Sequence, residues 1–308
     1  MQYNRNAICT ARKNPARISY ARDTSMKKYP LIQILLMVLL VTSCSARIMR
    51  GSGNTITETR QVSGFDQVSV CCGMQLVVAQ GSAEALEIQA DDNLLPEITS
   101  VVAGDELVIE FQDSFLETSY RPSQPVQVFV TVQSIEGLDV SGGGRLEARN
   151  LRTDDLAVNL SGGSRGDFEG VVASGQVVVE VSGGGRLQAE QIETSSLALN
   201  LSGGSEAMIA DLEAETLILD NSGGGNALIA GQASEQIIEL SGASDYDAPD
   251  LLSQTATVQM SGGGSARVWV TESLIADLSG GSEVEYYGDP EVTEKLSGGS
   301  GITPLGNK

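Results

Sequence analysis

Apolar and polar residues alternate with a period of two in short runs along most of this chain, and the runs recur about every 20 residues. A small tetrad marks each recurrence. It begins at Ser141, Ser161, Ser182, Ser202, Ser222, Ser241, Ser261, Ser279 and Ser297, each followed by Gly, then Gly or Ala, then Gly or Ser. Successive tetrads are 18 to 21 residues apart. Immediately before them stand Val140, Leu160, Val181, Leu201, Asn221, Leu240, Met260, Leu278 and Leu296. Three before them stand Leu138, Val158, Val179, Leu199, Leu219, Ile238, Val258, Ala276 and Glu294. The residue between these two positions is polar in every copy. Such alternation predicts a strand with one buried face, ended by glycines that supply positive φ or close packing at a turn.

A unit of this size, with two or three short strands, cannot bury its apolar face alone. Stacked copies can. The repeat therefore predicts an all-β solenoid, a parallel β-helix with about 20 residues per turn. An antiparallel meander would require a turn signal about every 10 residues rather than every 20. Nine coils at the spacing of neighbouring strands would stack to roughly 43 Å. The polar column two before each Ser begins Asp139, Asn159, Glu180, Asn200, Asp220, alternating acid with amide. If consecutive copies are adjacent rungs, that order keeps like charges off direct cross-strand positions. A 40-residue structural unit would give the same alternation.

The repeats occupy residues 136–308. Residues 60–135 carry short β runs separated by turn signals at Asp91-Asp92-Asn93 and Gly104-Asp105, but not the tetrad. They read as a strand-rich region that starts or caps the solenoid, because a terminal coil must hide its open edge. Phe65-Asp66-Gln67-Val68, Ala90-Asp91-Asp92-Asn93-Leu94-Leu95 and the Ser-Gly-Gly repeats after Leu138-Asp139-Val140 resemble the bacterial auto-transporter adhesin head GIN domain family. The resemblance covers roughly residues 60–300. It implies a right-handed β-helical fold and a domain often carried on envelope lipoproteins, with no established catalytic or binding residues to carry over. Cys71-Cys72 departs from the small residues expected there.

The N-terminus reads as an address. Lys27 and Lys28 precede an apolar run from Leu31 to Val41, and Val41-Thr42-Ser43-Cys44 follows. The run is 11 residues long, too short for the roughly 20 that span a bilayer, and matches a signal peptide over 26–43. Its ending resembles the lipobox of bacterial lipoproteins, which implies a lipidated Cys44 and a membrane partner reached through that anchor. An ordinary signal peptide with a chance cysteine is the competing reading. Residues 1–25 form a doubtful extension: either translation starts at Met26, or the n-region is unusually long. Residues 44–59 read as a flexible tether. Without residues 1–43 the chain keeps 12 basic and 39 acidic residues, a net charge of −27. Lipid, not charge, would hold such a protein to an anionic membrane.

Charge and composition also limit the chemistry. A net charge of −21 over the whole chain excludes a nucleic-acid partner. The complete absence of histidine removes His-dependent catalysis and His-ligated zinc. No catalytic constellation, metal site or cofactor motif stands out. Arg145, Arg165 and Arg186 occupy the same place in three successive copies and form a candidate ligand-binding stripe for sulfated, phosphorylated or carboxylated glycans; pairing with neighbouring acids is the plainer reading. Cys71 and Cys72 are either a vicinal disulfide or one buried thiol beside one turn thiol. Arg165-Gly166-Asp167 is an integrin-type tripeptide, weak evidence inside a repeat. Asp245, Asp247 and Asp250 offer oxygens for weak Ca²⁺ binding or are solvated surface. The sequence thus points to a non-enzymatic, lipid-anchored cell-envelope module, an adhesin or binding and structural module whose partner is a glycan or an envelope or matrix protein. The alternative is a polysaccharide-acting β-helix enzyme, lyase or hydrolase, with Asp167 and Glu169 near Arg165 as its best carboxylates. That alternative rests on fold analogy alone.

Overall fold

The computed structural model describes residues 47–112 and 118–308. The signal segment, Cys44 and residues 1–25 lie outside the described residues. Apart from one 3-10 turn at Leu95–Glu97, the regular structure described is β.

The tetrads bound about eight turns of a β-solenoid whose strands stack in parallel. Gly137–Val140, Leu156–Leu160 and Gln176–Val181 form one ladder with the segments that precede the later tetrads. Leu138, Val158, Val179, Leu199 and Leu219 meet rung by rung, and each is buried. Arg145–Arg149 and Arg165–Phe168 begin a second ladder, and Leu151–Thr153 and Val171–Ala173 a third. From Arg186 onward these merge into unbroken strands of 16 to 18 residues, Arg186–Gly203, Glu206–Gly223, Asn226–Gly242, Asp245–Gly262 and Ser265–Gly280. Equal copy length lets almost every residue meet its counterpart. Where the copies shorten, the register slips instead, as between Asp247 and Leu252. The predicted polar column is real: Asn159 Nδ2 donates to Asp139 Oδ2 across one rung at 2.8 Å.

The N-terminal part carries a coil that the tetrad pattern conceals. Gln67–Val70 pairs with Gly137–Val140, and Gln75–Gln80 with Arg145–Arg149. Cys71-Cys72-Gly73-Met74 therefore stands where later coils have the tetrad. Cys72 and Gly73, at φ 66° and 77°, repeat the backbone of Gly142 and Gly143, at 70° and 80°. The chain then loops back beneath this coil. Glu106–Phe111 pairs with the other edge of Gln67–Val70, and Gln127–Val132 with the other edge of Gln75–Gln80. Antiparallel strands close the stack below, Ile98–Ala103 on one ladder and Ala85–Asp91 with Thr55–Arg60 on the other. The third ladder has no strand beneath it among the described residues, and a side chain substitutes: Gln80 Nε2 donates to Arg152 O at 2.6 Å, and Gln80 Oε1 accepts from Arg152 N at 2.8 Å. The lowest parallel rung is thus covered by antiparallel strands.

The tether reading of 44–59 needs correction over its described part. Arg47–Arg50 pairs with Thr118–Arg121, and Thr55–Arg60 is the outermost cap strand. Between them, Gly53 N donates to Asp91 Oδ1 and Ser52 N to Asn93 Oδ1, both at 2.8 Å. A Gly/Ser link stays flexible only while its amides face water; here the Asp91-Asp92-Asn93 turn supplies their acceptors.

Asp91, only 2% exposed, also accepts from Ser123 N at 2.8 Å and Ser123 Oγ at 2.6 Å. Burial works to raise its pKa, but these hydrogen bonds outweigh burial and hold it below the ordinary 3.8. A carboxylate with a depressed folded pKa stabilises fully above its unfolded value and loses that contribution as pH falls through the folded one. Hydrogen exchange should therefore show the Thr55–Arg60 amides losing protection below pH 3.8 before the central coils do. Asp91→Asn should loosen the same strand at neutral pH, at a cost of roughly 1.5–3 kcal/mol.

At the other end, Gly301–Gly306 and Glu291–Leu296 are each paired on one side only among the described residues. Glu294 stands in the inward column, and Pro304 offers no N–H along the last strand. Both residues discourage edge-to-edge pairing.

Candidate functional site

The register confirms the arginine column: Arg145, Arg165 and Arg186 stand on adjacent rungs, followed by Glu206, Asn226 and Asp245. Neighbouring rungs lie about 4.8 Å apart, so three unscreened guanidiniums would repel. Most of that charge is paired. Arg145 contacts Glu147 at 3.1 Å and Asp167 at 2.9 Å, the latter an ion pair without hydrogen-bond geometry. Arg186 pairs with Glu206. Arg165 alone of the three has no carboxylate within ion-pair distance among the described residues. The stripe is therefore a mixed band whose central cation, Arg165, is unpaired among the described residues.

The turns beside this band differ from those further up. In the later coils the third tetrad residue donates to the rung below, as Gly224 N does to Gly203 O at 2.9 Å and Gly263 N to Gly242 O at 2.8 Å. Gly143, Gly163 and Gly184 are exposed and donate to no protein acceptor among the described residues. Gly142 and Gly143, like Gly162 and Gly163, are consecutive positive-φ residues. Free amides of such turns, stacked beside a guanidinium, are the ingredients of an anion-binding concavity. A shallow cavity of about 270 Å³ lies over them, lined by Gly143, Gly163, Gly184 and the three arginines. A larger groove of about 500 Å³ runs along Asp220, Glu239 and Asp277 and would repel the same ligands.

Several sequence candidates separate here. Cys71 and Cys72 lie at the foot of the same turn column, bonded to each other, with Cα atoms 3.8 Å apart. Neither is the fully buried thiol of the plainer reading, since Cys71 is half-buried and Cys72 exposed. Arg165-Gly166-Asp167 is not a loop: it lies in the strand Arg165–Phe168, where Gly166 faces the core against Leu160. Asp167 and Glu169 serve as ion-pair partners of Arg145 and Arg149. The three aspartates are dispersed, with Asp245 accepting from Ser265, Asp247 pairing with Arg267 and Asp250 with Lys308. Among the described residues no group of carboxylates is placed to hold a metal ion. The free glycine amides escaped sequence reasoning, because all nine tetrads look alike; Gly204, whose tetrad is followed by Glu206 rather than Arg, likewise donates to no protein acceptor among the described residues.

The profile of the family described as "Putative auto-transporter adhesin, head GIN domain" matches residues 64–190 and again 177–290. The chain belongs to this family. The two matches to the GIN domain overlap within one continuous solenoid, since Gln176–Val181 and Arg186–Gly203 stack without a break. Among solved structures, a "putative adhesin" from Parabacteroides distasonis aligns at 20% identity with a TM-score of 0.67, and one from Parabacteroides merdae at 19% with 0.63. A "putative lipid binding protein" from P. distasonis aligns at 19% with 0.60. Each alignment covers 84% of this chain and 100% of the other. At these identities the likeness establishes the shared fold. No curated protein matches the chain. No helix among the described residues is long and apolar enough to cross a membrane.

Proposed function

We propose that this GIN-domain protein is a non-catalytic, lipid-anchored module of the cell envelope that captures an anionic partner, a sulfated or carboxylated glycan, along the Arg145–Arg165–Arg186 band. The observation that carries the reading is the Arg165 guanidinium beside the amides of Gly143, Gly163 and Gly184, none of which has a protein partner among the described residues. The acidic body does not preclude this. Charges further away than about 8 Å are largely screened at physiological salt, while contacts inside the band are not. Family membership supports an adhesin-type role at the envelope or surface, and the Val41–Cys44 lipobox supports the anchor.

One experiment addresses both halves. Cells expressing the wild type, Cys44→Ala, or the triple variant R145Q/R165Q/R186Q are fractionated, shaved with protease and assayed for binding and turnover of a sulfated-glycan panel. Wild type should partition with membranes and retain glycan without cleaving it. Cys44→Ala should leave the membrane fraction, and the triple variant should stay there but lose capture at least tenfold. Equal capture by the triple variant would remove the band from the function. Glycan turnover would replace binding with catalysis. Protection from protease until lysis would direct the search to periplasmic partners.

A further inference from the structure

The outer face of the last rungs holds a site unrelated to the arginine band. Trp269 and Tyr287 are cross-strand neighbours on Ser265–Gly280 and Glu283–Tyr287. Trp269 alternates with the fully buried Val268 and Val270 and so faces outward. Lys308 reaches over this pair from beyond the final strand. Its Nζ lies 5.4 Å from the Trp269 ring centroid and 5.2 Å from that of Tyr287. The same ammonium donates to Pro249 O at 2.8 Å and is ion-paired to Asp250. Two aromatic faces, a carbonyl and a carboxylate converge on one primary ammonium.

The four groups that make the site and the residue that fills it are held very differently. Trp269, Tyr287, Pro249 and Asp250 sit in strands of three consecutive rungs. Lys308 lies two residues past the end of Gly301–Gly306, and its side chain is held by the contacts just named. The receptor is thus built into the sheet, while its occupant hangs on a short link outside the ladder. We propose that this is a binding site for a lysine side chain of a partner polypeptide, filled in cis by Lys308 when no partner is present. The two hydrogen-bond acceptors select a primary ammonium, because a trimethylated one has no N–H to donate. The two rings select a cation over a neutral amide, since attraction to the ring face falls away with the charge.

Trp269 is the single tryptophan of the chain, so its emission reports on this site directly. The full chain carrying Lys308→Met should show a saturable emission change on titration with Nα-acetyl-lysine methylamide. For a ligand this small, half-saturation belongs in the millimolar range. Asp250→Asn in the same background should weaken binding at least tenfold, and the trimethyl-lysine analogue should bind at least tenfold more weakly than lysine. The Nε-acetyl analogue should not bind. The wild type should need about two- to threefold more ligand for half-saturation, because a tethered competitor at millimolar effective concentration adds to a millimolar dissociation constant. That arm needs no substitution and keeps the test valid if Lys308→Met proves unstable. The proposal is overturned if neither protein responds up to about 50 mM ligand, well above the range expected for such a fragment. It is equally overturned if the trimethyl or acetyl analogue binds as well as lysine itself.

Discussion

Gly262→Ala is expected to destabilise the solenoid by about 3–5 kcal/mol, the sum of a backbone and a packing cost. Gly262 has φ 128°, a conformation in which L side chains are strained whatever the space around them. A Cβ there would also lie 2.1 Å from Gly242 O, on the rung directly below. The backbone oxygen cannot withdraw, because Gly242 O accepts the ladder hydrogen bond from Gly263 N at 2.8 Å. Gly263→Ala supplies the control: that position has no positive φ and nothing within 4 Å of an added Cβ. Thermal or denaturant melts of the two variants should differ by most of the predicted cost. If both melt like the wild type, the tetrad glycines are not set by stacking.

The second large effect concerns a polar network inside the apolar stack. Gln236 is fully buried, in the column that holds Leu217 one rung earlier and Leu197 two rungs earlier. Its Oε1 accepts from Tyr246 Oη at 2.7 Å and its Nε2 donates to Ser253 Oγ at 2.9 Å. Ser253 Oγ in turn donates to Trp269 O, also at 2.9 Å. Tyr246 fits because the rungs on either side place Ala227 and Ala266 against it. Burial holds its phenol protonated, with a pKa well above the ordinary value. Gln236→Leu matches the neighbouring rungs in shape yet strands the Tyr246 hydroxyl, a loss of roughly 1–3 kcal/mol for each buried group left bare. Adding Tyr246→Phe should return part of that loss, since both partners are then removed together. A double-mutant cycle with no coupling would mean that the two side chains do not share a hydrogen bond.

The same comparison of rungs explains the alternation of Gly and Ser at the fourth tetrad position. Ser164, Ser205, Ser244 and Ser282 each close their own turn by donating Oγ to the carbonyl of the first tetrad residue, at 2.7 to 2.9 Å. The intervening glycines pack more tightly: a Cβ at Gly225 would lie 2.5 Å from Ser205 O, and at Gly264 2.0 Å from Ser244 O. The 40-residue periodicity visible in sequence is therefore a packing rule between turns of two kinds. It holds through Ser282 and breaks at Ser300, which closes its turn onto Ser297 O in the same way at 2.8 Å.

What the amino-acid order determined by itself was the solenoid. A 20-residue period, an in-out alternation before each tetrad and glycines at fixed places leave little besides stacked parallel strands, because each unit is too small to bury its own apolar face. The arginine column and the acid–amide column were legible for the same reason, since equal spacing turns sequence position into rung position. Tertiary structure decided whatever depended on contacts between distant segments or on backbone state. Residues 47–50 and 55–60 became strands because Thr118–Arg121 and Ala85–Asp91 lie beside them, while Asp91 and Asn93, some 40 residues away, supply acceptors to the link between. Cys71-Cys72-Gly73-Met74 could be recognised as a tetrad only once Val70 was seen beside Val140. The charge of the band was set by which carboxylates fell on adjacent rungs, leaving Arg165 unpaired among the described residues and its neighbours paired. The lysine seat joins Pro249, Asp250, Trp269 and Tyr287 of successive rungs under Lys308; their spacing follows the repeat, but their convergence on one ammonium shows only in the folded stack. Local periodicity fixes a lattice of positions; which groups remain unsatisfied on that lattice is settled only when the rungs close on one another.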